Sequence, residues 1–505
     1  MLAARTGVVL ALLVACSGGA CMSANAPALH RRAAETITEE QLRRDVHALA
    51  ADSMRGRWTP SPELEAAAGY LSARLRRAGL RPGGDQGSYL QRFPIDVFQL
   101  LLDSAAVWTT GSLPMRWTHG EDFGFAFNTW ANWDAAGRAV LLRGSVGARA
   151  NFDTAALAGT VLFIPGGWGR NYDRVAAWRP AGVIWLDDVP SATLARMARP
   201  RLRPTRRAPG DTMPLVLMSY RAAATLAARA GVDTIGIARA ISDTILQAIP
   251  LGDAVVHIRG RVRHLPHENP ANVVAFLEGA DPALRGESLV YSAHYDHLGV
   301  SAAVDGDSIN NGADDNASGT AAVLAVAEAF ARMPTRPRRS VVFAFVAAEE
   351  FLGLGARHFL DHPPVPVSSI VANLNADMVG RNWSDTVLVI GRRDSDLGLV
   401  VDRVLAAHPE LALAATDSST RPNEARNLEG WSDHAAFIRK GIPFLYFYSG
   451  MHADYHRPSD SADKIGYEKL TRISRLLFHT GLAVANAGER PRWTEESFRR
   501  LVPQP

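Results

Sequence analysis

Cysteine is nearly missing from this 505-residue chain: there are two, Cys16 and Cys21, both close to the N-terminus. The remainder can therefore form no internal disulfide and no thiolate metal site, and any metal must sit on His, Asp and Glu side chains. An excess of charge is missing too. Lys and Arg number 54 against 51 Asp and Glu, a formal net charge of +3. The local basic run Arg199, Arg201, Arg203, Arg206 and Arg207 has no interleaved aromatics, so it reads as a solvated loop and nothing suggests a nucleic-acid groove. Internal repeats and low-complexity stretches are absent beyond the N-terminal segment. What is present, 47% hydrophobic and 21% charged residues, suits two or three domains with full-sized cores and excludes a disordered or collagen-like chain.

The N-terminal segment reads differently from the rest. Arg5 precedes an apolar run, Val8 to Ala15, too short for a permanent transmembrane helix but fitting a secretory signal peptide. The run ends in Leu13-Val14-Ala15-Cys16, which resembles the lipobox of bacterial lipoproteins and implies lipidation of Cys16 as the new first residue. The alternative is an ordinary signal peptide cut near Gly19 to Ala24, with Cys16 discarded; Cys21 is a poorer second lipobox. The expectation is a leader and spacer over residues 1–27 and an exported periplasmic or cell-surface protein, held to the membrane only by this anchor.

Residues 36–95 read as a helical preface. Leu42, Val46 and Leu49 recur at helical spacing over 39–51, as do Leu64, Ala68, Leu71 and Leu75 over 62–78, before Gly79 and Pro82. Residues 100–262 change to short β runs at 139–142, 160–164, 182–186 and 213–218, with helices expected at 173–177 and 221–230. The stretches Leu157 to Gly166 and Ala181 to Leu186 resemble the protease-associated domain inserted in several secreted peptidase families. From Asn272 strand and helix alternate. Strands are expected at 273–277, 288–293, 340–346, 370–376, 386–390 and 442–448, and helices at 318–332 (with Ser318 as N-cap), 353–360, 397–407, 432–439 and 467–485. Nearly continuous apolar strands alternating with helices predict an α/β fold, a mostly parallel central sheet flanked by helices.

Ligands of such sheets gather at the carboxyl ends of the strands, and five polar clusters fall there. They are His294-Tyr295-Asp296-His297, Asp314-Asp315, Glu349-Glu350, Asp377, and His452 with Tyr455-His456. Each alone reads as a surface turn, a helix start or a cap. Together they require compensating cations, since burying so many carboxylates is otherwise prohibitive. Oxygen and imidazole donors favour zinc or a related transition metal.

Gly312-Ala313-Asp314-Asp315-Asn316-Ala317-Ser318-Gly319, Ala347-Ala348-Glu349-Glu350, Asn375-Ala376-Asp377-Met378 and the His-x-Asp at 294 and 296 resemble the secreted bacterial zinc aminopeptidases. That family also holds the aminopeptidase Y type, glutamate carboxypeptidase and the glutaminyl cyclases. The resemblance implies a catalytic domain over 265–490, with 36–95 as its N-terminal helical part, and two zinc ions per chain. His294 and Asp377 would hold one zinc, Glu350 and His456 the other, with Asp315 bridging. Glu349 would be the general base, Asp296 would orient His294, and a metal-bridged water would hydrolyse N-terminal residues from peptide substrates. A cis peptide is implied at Asp315-Asn316.

The family's oxyanion-stabilising tyrosine is replaced here by Asn427-Leu428-Glu429-Gly430, leaving Tyr448 or Tyr455 as substitutes. His297 reads as an outer-loop residue, His452 has no counterpart, and Trp431-Ser432-Asp433-His434 resembles a stretch supporting the rim. Arg357, His358 and Asp361 are placed on a helix packing the sheet. Carboxypeptidase action and the acyl transfer of a glutaminyl cyclase are the alternatives, the latter opposed by the inserted region; a non-catalytic receptor-like module is opposed by the intact motifs.

Overall fold

The computed structural model describes residues 28–125, 132–166, 172–189, 194, 202–205, 213–233, 245–417 and 428–503. Cys16, Cys21, Arg199, Arg201, Arg206, Arg207 and Asn427 lie outside the described residues. Arg203 falls in a short strand, Leu202–Thr205, paired antiparallel with residues 96–99, so the expected basic loop contains an edge strand. Among the described residues no helix is long and apolar enough to cross a membrane.

The helical preface forms as its spacing predicts. Glu39–Leu49 starts where the Thr38 hydroxyl accepts the Gln41 amide at 3.2 Å, and it buries Leu42, Val46 and Leu49. Pro62–Arg77 starts on Ser61, whose hydroxyl accepts the Leu64 amide at 3.0 Å. It ends at Gly79, which takes a left-handed φ of 79°.

The main sheet has nine strands. Eight run in the spatial order Arg81–Pro82, Ala271–Leu277, Ser340–Val346, Ser288–His294, Ile370–Ala376, Phe444–Tyr448, Thr386–Ile390 and Ala414–Thr416, and Leu90–Arg92 pairs beside the second of these. The four central strands from Ser340–Val346 to Phe444–Tyr448 are mutually parallel, whereas Ala271–Leu277 and Thr386–Ile390 join them antiparallel. Every residue of Ser340–Val346, Ser288–His294 and Ile370–Ala376 is buried, which is why these strands read as continuous apolar runs. Helices Gly319–Ala331 and Tyr467–Asn486 pack together on this sheet, joined by the preface helix Glu39–Leu49. Ser318 does not cap the first of them. The Asn316 side-chain oxygen accepts the Gly319 amide at 2.9 Å, while the Ser318 hydroxyl donates to the Asp314 carbonyl at 2.8 Å.

The second unit is a sheet of ten strands among the described residues, with its own apolar core. The expected short runs appear as Trp133–Arg143, Val161–Pro165, Gly182–Asp187 and Leu215–Ser219, side by side and parallel. Sequence reasoning missed its two longest strands, Ile95–Thr110 and Ile245–Glu268, which pair antiparallel with register breaks. Arg259, Arg261, Arg263 and His264 interrupt the apolar signal along the second one.

Candidate metal centre

Three parallel strands deliver their polar ends to one place. Ser288–His294 ends in His294, Ser340–Val346 leads to Glu349 and Glu350, and Ile370–Ala376 leads to Asp377. Asp315 arrives on the loop before helix Gly319–Ala331. Gly312, at φ 58°, allows that loop to turn: a Cβ there would meet the Asp315 carbonyl at 2.2 Å and the His297 ring at 2.5 Å. The Asp315-Asn316 peptide is cis. Asn316 donates to the Ala376 carbonyl at 3.0 Å, tying this loop to the strand that carries Asp377.

Asp315 stands between two groups of donors. One of its carboxylate oxygens lies 3.4 Å from His294 Nε2, and that same nitrogen is 3.3 Å from Asp377 Oδ1. Its other oxygen lies 3.1 Å from His456 Nε2, which is 3.3 Å from Glu350 Oε2. Bonds of about 2.0–2.1 Å at the tetrahedral angle would set neighbouring zinc ligands about 3.3–3.4 Å apart, so these separations fit the edges of two coordination tetrahedra sharing Asp315. Buried His294 Nε2 and Asp377 Oδ1 make no hydrogen bond, as expected of atoms reserved for a metal. The other side of the His294 ring faces Asp296: Nδ1 is 3.2 Å from its carbonyl and 3.7 Å from its carboxylate.

The electrostatics call for positive charge. Burial alone would lower the proton affinity of His456, but Glu350 and Asp315 outweigh it and raise the ring to about 10. Burial would raise Glu350, yet His456 brings it down to about 2. Glu349 behaves oppositely: burial pushes its carboxyl well above the usual range, with His294 opposing and Asp433, Glu350 and Asp377 reinforcing. Its Oε2 is 4.0 Å from His294 Nε2.

His297 is not an outer-loop residue. It is fully buried, and its Nδ1 lies 2.7 Å from Glu350 Oε1 and 3.7 Å from Asp315. It forms a compact donor group with Asp315 and Glu350, but 2.7 Å is a hydrogen-bond length and not a coordination edge, so the ring braces the oxygen of Glu350 that faces away from His456. The only hint in the sequence is its place one residue after the His-x-Asp. His452 lies 3.3 Å from Asp314 Oδ2, behind the donor set. In the rim stretch, Ser432 accepts the Asn375 side-chain amide at 2.9 Å. His434 donates to the Leu428 carbonyl at 2.9 Å and stacks on Phe444 and Tyr446. Tyr448 is fully buried in the sheet against Tyr446, whereas Tyr455 stacks on the His456 ring at 3.8 Å. His358 packs its ring on Phe93 from helix Leu354–Asp361.

Residues 272–481 match peptidase family M28. Aminopeptidase YwaD of Bacillus subtilis is 28% identical over 192 residues, 36% of this chain and 40% of that protein. Leupeptin-inactivating enzyme 1 of Streptomyces exfoliatus is 28% identical over 196 residues, 39% of each. The chain thus spans about two fifths of the length of these curated relatives. Among solved structures, the aminopeptidase from Aneurinibacillus sp. strain AM-1 aligns over 91% of this chain and 97% of its own, with a TM-score of 0.61 at 17% identity. The peptidase M28 precursor from Shewanella amazonensis aligns over 92% and 97%, with a TM-score of 0.53 at 18% identity. At such identities the likeness establishes the α/β fold, and the sequence match, confined to residues 272–481, is to peptidase family M28.

Proposed function

We propose that the protein is a zinc-dependent exopeptidase, acting as an aminopeptidase on peptide substrates, with two zinc ions per chain. His294 and Asp377 would hold one ion and Glu350 and His456 the other, with Asp315 shared between the two positions. The observation that carries this is the position of Asp315, with one carboxylate oxygen 3.4 Å from His294 and the other 3.1 Å from His456. Aminopeptidase action, in preference to carboxypeptidase action, is supported by the printed name of the Bacillus relative.

Zinc bound there supplies Lewis-acid polarisation of the scissile carbonyl and acidification of a water. The residues of the chain do the rest. Glu349 takes a proton from the attacking water and returns it to the departing amine, a task suited to a carboxylate whose proton affinity is raised by burial. Asp296 fixes the ring of His294 so that Nε2 faces Asp315 and Asp377. Tyr455, beside His456, is the better placed of the two tyrosines to donate to the developing oxyanion; Tyr448 is enclosed in the sheet.

Export with lipidation at Cys16 is part of this proposal, as is a protease-associated-like identity for the second unit. The decisive experiment is turnover of aminoacyl and N-blocked peptide substrates by protein of measured metal content. Cleavage of free-amine substrates alone is expected, and cleavage only of N-blocked peptides with a free carboxylate would overturn the aminopeptidase assignment.

A further inference from the structure

The loop bearing Asp315 is held by two buried charged side chains from opposite ends of the chain. Arg57 is fully buried and spends its guanidinium on main-chain carbonyls. Nε donates to Tyr295 at 2.8 Å, Nη1 to Leu49 and, at 2.8 Å, to Asn311, and Nη2 to Gly312 at 3.0 Å. One side chain therefore joins the end of helix Glu39–Leu49, the loop carrying His294, Asp296 and His297, and the loop leading to Asp315. Its own carbonyl accepts the His297 amide at 3.2 Å. Burial lowers its proton affinity to about 10, with the carboxylates of Asp296, Asp315, Asp460 and Glu350 opposing, so it stays a cation facing the acidic centre.

Asp460 grips the same loop from the other side. Its carboxylate accepts the Asp314 amide at 3.0 and 3.1 Å and the Asp315 amide at 3.1 Å, and its carbonyl accepts the Ala313 amide at 3.1 Å. It lies four residues beyond His456 and is fully buried. Residues 311–315 thus have two carbonyls taken by a cation and two amides taken by an anion, and these bonds connect the Asp315 loop to those of His294 and His456.

We infer that Arg57 and Asp460 are positioning residues that set the separation of the three loops supplying metal ligands, and so determine metal affinity without touching metal or substrate. This rests on the metal centre proposed above. Lysine at 57 keeps the charge but cannot span four carbonyls with three donors of one ammonium group; asparagine at 460 sets an NH2 against a backbone N–H.

The test is zinc affinity by chelator competition on the folded full chain, with the visible absorption of the cobalt-substituted protein and the urea midpoint of the metal-free protein. Arg57→Lys and Asp460→Asn should each raise the zinc dissociation constant about 10- to 100-fold, the usual range for residues that orient ligands, and change the cobalt spectrum. Arg57→Met should be worse than Arg57→Lys. If the urea midpoint falls while zinc affinity and cobalt spectrum keep wild-type values, the residues merely support the fold and the inference is overturned. Should the Arg57 variants not fold, Asp460→Asn decides alone. Wild-type protein that binds no zinc overturns the metal centre itself, and this inference with it.

Discussion

The main-chain N–H of Glu349 donates to the carboxylate of Asp296 at 3.2 Å, so the residue that faces the His294 ring also fixes the backbone from which Glu349 departs. Glu349 and Glu350 leave their strand in different directions: Glu350 approaches His456 and Asp315, while Glu349 remains nearest His294. Glu349→Gln should therefore reduce turnover about 10²- to 10⁴-fold with both metals retained, because the amide keeps the shape but cannot accept a proton. Glu350→Gln should lose metal, with activity partly restored by added zinc. Equal metal loss in the two variants would break the division of roles.

Metal content is the second prediction. Two imidazoles and three carboxylates at tetrahedral-edge separations exceed what one zinc requires, so elemental analysis should give two zinc ions per chain, and Asp315→Ala should lower occupancy of both. A single ion in fully active protein would point to a mononuclear mechanism.

His297 provides a sharper check on which imidazole binds metal. His456→Ala should abolish binding at the Glu350 position. His297→Ala should leave binding there but weaken it about 10-fold or more through loss of the 2.7 Å bond to Glu350. Zinc titrations that rank the two variants equally would place His297 among the ligands.

Away from the centre, Arg74 joins three helices. It pairs with Asp45 and, at 2.7 Å, with Glu328, whose other oxygen accepts from Gln41 at 3.0 Å, and all are buried. Removing the cation leaves the two carboxylates only half-exposed cationic partners, Arg44 at 3.2 Å from Asp45 and Arg332 at 3.3 Å from Glu328, so Arg74→Met should destabilise the protein by about 3 kcal/mol in urea unfolding at fixed zinc concentration. Adding Glu328→Gln should recover part of the loss, since one poorly compensated charge is removed.

His479 sets a pH dependence of stability. Burial, reinforced by His408 stacked at 3.7 Å, lowers its ring to about 3, whereas the unfolded chain binds the proton near 6.5. The unfolded state therefore takes up more protons below pH 6.5, and stability falls with acidification toward pH 3. His479→Phe should remove a loss on the order of 3 kcal/mol between pH 6.5 and 4, read as a flatter urea midpoint against pH. Parallel curves for both proteins would refute the assignment.

The central strands and their polar ends were legible because a charged residue at the end of a long apolar run is anomalous wherever it occurs, as at His294, Glu349 and Asp377. His297 was not, because its burial depends on the bond from its amide to the Arg57 carbonyl, a contact across some 240 residues that no local pattern reveals. Ser318 misled for a local reason. Serine ahead of a helix is ordinarily its cap, but here the turn through Asp315 and Asn316 puts the asparagine side chain at the helix start instead. The strands Ile95–Thr110 and Ile245–Glu268 escaped notice because they are partly exposed, and their alternation is broken by bulges near Arg259 and Leu265.

That same pair of strands bears on how the unit built on the main sheet assembles. Its first portion, through Leu90–Arg92, must find Ala271–Leu277 across the whole second unit. Closing a flexible loop of roughly 180 residues costs about 3 kcal/mol more in chain entropy than closing one of four. Once the two strands zip, with Ile95 opposite Glu268, the ends of that loop are already adjacent. Distant segments then meet as near neighbours, so early folding of the second unit is expected to speed formation of the sheet that carries Asp377 and the Glu349-Glu350 pair.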